Sequence, residues 1–237
     1  NLLAYSRIQE ASADQAGMRF LDATHQSAVG MLQFFKKLEG EEFLLAGNQD
    51  PYLLTHPLNR DRIDAVQQHV DHSPYSGVKD SPAMMVLHQR MRAKRRGFIW
   101  PLDRVMQTYP ESDQSVPARY ARAIALFRVS RLRESMLLMI GLLKESPNDP
   151  FFLEQAGQIL FQNGRLADAL PLYQRAAEIR PKEPLLRLEL GQVQIETEQD
   201  QYLKPAIANL EFATRAESND PFGWHLLAIA YGRDNQL

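Results

Sequence analysis

From Val116 to the end of the chain, apolar residues recur every third or fourth position, the spacing that gives a helix one buried face. Polar residues with proline or glycine interrupt the pattern at regular intervals. The whole pattern then returns after 34 residues, which places Leu132 on Leu166, Pro147 on Pro181, Pro150 on Pro184 and Gly157 on Gly191. A fixed period of this size is what a stack of helix hairpins leaves in a sequence, since each unit must bury its apolar face against the next.

The clearest unit is PFFLEQAGQILFQNGRLADALPLYQRAAEIRPKE. Gly157, Leu160, Gly164, Leu166, Ala169, Tyr173, Ala176 and Pro181 stand in it where the tetratricopeptide consensus has small, apolar, turn, aromatic and terminating residues, so the unit resembles that family. The resemblance implies close helix contacts at Gly157, Ala169 and Ala176, a turn at Gly164 and a helix stop at Pro181. The unit before it keeps Ala123, Leu126, Leu132, Met139, Leu142 and Pro147, with Ser130 in the turn. The unit after it starts at Pro184, and the next starts 37 residues later at Pro221 because the EQDQYLK turn is longer. Asp149-Pro150 and Asp220-Pro221 pair an N-cap carboxylate with a first-turn proline and mark helix starts. A final unit of one helix leaves Leu226 to Tyr231 for further chain or another molecule to cover.

Between residues 81 and 110 the pattern predicts a longer helix from Ser81-Pro82 to about Arg96, stopped by Gly97, then a short one after Trp100-Pro101. The basic run RMRAKRR, with Arg104 beyond, has enough charge for an anionic partner, but it lacks interleaved aromatic residues and reads first as a solvated helix face.

The first stretch, Leu3 to Leu21, is helical by composition and sets Glu10 and Asp14 four residues apart, on one face and one turn from each other. Spacing alone leaves these as an ordinary exposed carboxylate pair. SRIQEASADQAGMRFL, however, resembles the third-ligand helix of the HtpX-like and BepA-like zinc metalloproteases, with Ser6, Arg7, Glu10, Ala13 and Asp14 in the pattern. Further on, THPLNRDRI carries that family's His-Pro and Arg-Ile signature at His56, Pro57, Arg62 and Ile63. The resemblance implies Glu10 as a zinc ligand and Asp14 as acceptor for the second ring N–H of a zinc-bound histidine. It implies His56 and Arg62 at the catalytic cleft, His56 over the metal or the developing oxyanion and Arg62 holding that loop or contacting substrate. The bland reading of His56 is a turn histidine before a helix capped by Asn59.

HExxH, the motif that supplies two zinc ligands and the general base in that family, occurs nowhere in the 237 residues. His69 and His72 stand at i,i+3 without a carboxylate of the right pattern, and His25, His88 and His225 are isolated. The expectation is that the motif lies upstream in a longer protein, which uses zinc, and that this chain alone binds none and hydrolyses no peptide.

Composition narrows the classes. With 44% hydrophobic residues the chain can build a core, and a net charge of −2 supplies no field to attract nucleic acid. The absence of cysteine removes disulfides and thiolate chemistry. No run reaches the length of a membrane span, so no transmembrane segment is expected here.

The expected architecture is all-α: the helical back half of a zincin-type protease domain at 1–75, irregular connecting helices at 76–115, and a tetratricopeptide solenoid at 116–237. Its repeats fall at about 116–149, 150–183, 184–220 and 221–237. A concave groove is expected from Tyr120, Ile124, Phe127, Phe151, Gln158, Phe161, Leu188, Gln192 and Ile195, with a polypeptide substrate, a partner protein or the protease half itself as occupant. The whole points to a zinc endopeptidase with a protein-binding tail in envelope protein quality control, hence the periplasm, with the cytoplasm as the alternative compartment. The competing reading is a non-catalytic repeat scaffold that binds polypeptides.

Overall fold

The computed structural model describes residues 2–44 and 60–234, with side chains from 8–40 and 60–234. All regular structure among the described residues is helical. The chain divides into two compact units, 1–85 and 86–237.

The first unit holds α1 (Leu2–Ala23), α2 (Val29–Leu44) and α3 (Arg60–His72). Met18 of α1, Leu32 and Phe35 of α2, and Ile63 and Val66 of α3 form its small core. Polar links tie its ends: Ser27 Oγ donates to the Ser76 carbonyl at 2.9 Å, and Ser73 Oγ donates to Asp22 at 2.7 Å. The next helix, α4 (Pro82–Ile99), begins in this unit and runs into the second.

In the second unit α4 is followed by α5 (Leu102–Thr108) and then by the hairpins α6/α7 (Val116–Arg128, Leu132–Glu145), α8/α9 (Pro150–Gln162, Leu166–Ile179) and α10/α11 (Pro184–Glu196, Asp200–Ala216), with α12 (Pro221–Arg233) last. The starts follow from the sequence. Asp149 accepts from the amides of Phe151 and Phe152, and Asp220 from those of Phe222 and Gly223, satisfying donors that a first helical turn otherwise leaves unpaired. Ser115 does the same for α6 through the Ala118 amide. Each hairpin then turns on a residue in the left-handed region, at the same place in every repeat: Ser130 (φ 62°), Gly164 (φ 71°) and Glu198 (φ 56°).

Small residues sit where helices touch. A methyl group at Gly191 would stand 2.7 Å from Leu210 Cγ, and one at Gly157 would stand 3.0 Å from the Tyr173 ring. Gly97 does not stop α4, which continues to Ile99; a methyl there would meet the Ala121 carbonyl oxygen at 2.8 Å and Ile124 Cβ at 2.9 Å. Its lack of a side chain lets α4 lie against α6. The core that results joins Ala93 and Val105 to Tyr120, Ile124, Met139, Leu142, Phe152 and Ile159. Arg122 fastens the turn before α6, donating from Nη1 to the carbonyls of Tyr109, Pro110 and Asp113.

Candidate functional site

Glu10 and Asp14 lie one helical turn apart on α1, and the start of α3 brings Arg62 to both. The guanidinium donates to Asp14 through Nε at 2.6 Å and Nη2 at 2.9 Å, a two-pronged grip, and Nη2 stands 3.2 Å from Glu10 Oε2. Its cationic plane lies 4.9 Å from the centre of the Phe35 ring. Arg62 and Asp14 are both buried, which makes the pairing strong and leaves neither group cheaply separable from the other. Two motifs 48 residues apart therefore meet in one cluster. His56, the other residue expected at this site, lies outside the described residues.

The remaining histidines of the first unit have other company. His69 Nε2 is 3.3 Å from Asp22, His72 Nδ1 is 2.7 Å from the Gln68 carbonyl, and the His25 ring stacks on Tyr75. Among the described residues no group of three metal-ligating side chains is close enough to hold an ion. Glu10 fits a single carboxylate ligand to a metal completed by other donors, and it does not make a metal site by itself.

In the second unit the residues expected to line a groove separate into two sets. Tyr120, Ile124, Phe127 and Ile195 are buried and belong to the core, because α4 and the neighbouring helices cover the faces on which they project. Phe151, Gln158, Phe161, Leu188 and Gln192 are only partly covered. Tyr120 meets the Phe152 ring edge-on and donates its hydroxyl to the Phe151 carbonyl at 3.3 Å, while burial raises its pKa.

The basic run on α4 is not a uniformly solvated face. Arg90 pairs with Asp149 at 2.7 Å and lies over the rings of Phe151 and Phe152; Lys94, one turn on, pairs with Glu154 at 2.7 Å. Arg96 lies over Trp100 and donates to the Tyr109 hydroxyl. The matching i,i+4 spacing of Arg90 and Lys94 hints at a paired face. Its partners on α8 are some 60 residues away, beyond what local pattern reveals. Nearby, burial and then the Glu154 carboxylate push the Glu189 carboxyl up to about 8, with Lys94 drawing it back.

Residues 1–70 match the model of peptidase family M48. Residues 157–197 match the TPR repeat model. The chain thus carries a segment similar to family M48 peptidases and, further on, a segment similar to tetratricopeptide repeats, and it is similar over its whole length to beta-barrel assembly-enhancing proteases. That of Yersinia pestis is 25% identical over 100% of this chain and 49% of its own length. The Vibrio cholerae relative, described as putative, is 27% identical over 97% of this chain and 47% of its own. The chain spans about half the length of these relatives. Among solved structures, MamA AMB-1 matches with a TM-score of 0.52 at 17% identity, covering 62% of this chain and 88% of that one. YrrB, described as a TPR protein with an unusual peptide-binding site, matches with a TM-score of 0.51 at 18% identity over 62% of this chain and 77% of its own. These two likenesses bear on the fold, an all-α repeat solenoid.

Proposed function

We propose that the first unit supplies one wall of the zinc site of a metalloendopeptidase and that the repeats bind polypeptide for it. The single observation that carries the reading is the Arg62 cluster, which joins Glu10 and Asp14 of one protease-like motif to Arg62 of the other in a segment that matches family M48. In this reading Glu10 is a zinc ligand, and bound zinc supplies Lewis acidity and an activated water.

This chain's own residues do the positioning. Arg62 bridges Asp14 and Glu10, offsets the repulsion between the two carboxylates and so keeps Glu10 aimed. Asp14 gives two acceptor sites to Arg62 and keeps lone pairs for the ring N–H of a metal-bound histidine. His56 is assigned to the cleft by the family resemblance alone. The histidine ligands and general base come from the portion of the longer protein that these 237 residues do not contain, so this chain by itself does not cleave peptides. The partly exposed set Phe151, Gln158, Phe161, Leu188 and Gln192 offers apolar and amide contacts to an extended polypeptide, and the envelope role and periplasmic setting are those that the family resemblance implies.

The test is Glu10→Gln in the full-length protein, read by zinc content and casein cleavage. Loss of both supports the ligand assignment, with Asp14→Asn costing on the order of 10 to 100-fold in activity or zinc affinity. Full zinc content and unchanged turnover in Glu10→Gln refute it.

A further inference from the structure

Beside the core of the second unit an apolar surface stays partly open. On α4, Leu87 and Met91 are 54% and 55% exposed, and they fall with Arg95 and Phe98 along one helix face. Together with Phe151 of α8 and the stems of Arg90 and Lys94 they line a groove of about 280 Å³. Every charged residue in the lining is a cation. Arg90 and Lys94 are engaged by Asp149 and Glu154, whereas Arg95 in the lining and Arg92 beside it are exposed and make no ion pair among the described residues. An apolar trough with unspent positive charge on its rim selects its occupant by both properties.

We propose that this α4 groove docks an amphipathic helical segment of a partner polypeptide, whose apolar side chains enter between Met91, Phe98 and Phe151 and whose carboxylates face Arg92 and Arg95. The proposal rests on the reading of the repeat unit as a polypeptide-binding module, but it places the contact on α4 rather than on Gln158 and Gln192. Met91 suits such a role because its unbranched thioether chain repacks around apolar ligands of different shape. A helix laid in a groove needs apolar residues at i, i+3 and i+4, which matches a trough running along a helix face.

Two labelled peptides distinguish the outcomes, one amphipathic helix built from Leu, Ala and Glu and its counterpart with Lys in place of Glu. Fluorescence anisotropy with the full chain is expected to show the Glu peptide binding at least about tenfold tighter than the Lys peptide, with the gap shrinking as salt rises. Met91→Glu, at a site exposed enough to leave folding intact, weakens the Glu peptide by about tenfold or more. Arg95→Glu narrows or reverses the charge preference. Equal binding of both peptides, no binding of either, or a Met91→Glu protein that binds like the parent overturns the proposal. Binding lost in Gln192→Arg and kept in Met91→Glu assigns the peptide to the concave groove, which upholds the module and overturns the α4 site. A dimer that dissociates in Met91→Glu overturns the proposed occupant in favour of a second copy.

Discussion

Arg62 of α3 grips Asp14 of α1 with two hydrogen bonds, 2.6 and 2.9 Å long, inside the first unit. Removing one member of a buried, doubly bonded ion pair leaves the other charged and unpaired, so Arg62→Ala is expected to destabilise this unit by about 3–5 kcal/mol. Arg62→Lys keeps the charge but loses the fork and falls in between. Hydrogen exchange checks this: α1 and α3 amides lose protection while those of α6 to α11 do not. Unchanged protection of α1 would show that the small apolar core holds the unit without the pair.

Glycines of the second unit predict opposite responses to the same substitution. Gly97→Ala pushes a methyl into the Ala121 carbonyl, which cannot swing aside, and should cost about 1–3 kcal/mol despite the gain in helix propensity. Gly141→Ala in α7 has its nearest neighbour at 3.9 Å, the tip of Arg119, and should stabilise by about 1 kcal/mol. Thermal unfolding should therefore move down for the first and up for the second.

The repeats were legible because each signal is local. Asp149 and Asp220 cap the helices they precede, Gly164 makes its turn, and Gly157 and Gly191 meet Tyr173 and Leu210 inside the same hairpin. Gly97 misled because a glycine that ends a helix and one that admits a neighbouring backbone look alike in sequence. Tyr120 and Ile124 were assigned to a groove by repeat geometry alone, which cannot know that α4 covers them. Glu10 and Asp14 share a face by spacing, but their link to Arg62 spans most of the first unit, and only family resemblance put the two motifs together.

Glu189 gives the repeats a pH dependence with a definite sign. Its carboxyl is raised from 4.5 to about 8 by burial and by Glu154, and its Oε2 has no hydrogen-bond partner among the described residues. Below pH 4.5 it is protonated folded or unfolded; between the two values only the unfolded chain ionises, so stability falls as pH rises towards 8. Glu189→Gln should remove that fall, gaining on the order of a few kcal/mol over the parent near pH 9 and nothing near pH 4. Parallel stability curves for the two proteins across this range would contradict the assignment.

We propose that Glu10, held beside Asp14 by Arg62, binds zinc in the intact protein. Anomalous diffraction at the zinc edge from crystals of the full-length protein tests it directly. A zinc peak is expected about 2.0–2.2 Å from a Glu10 carboxylate oxygen, with Arg62 still bonded to Asp14. A zinc peak elsewhere, with Glu10 directed away from it, would contradict this ligand assignment.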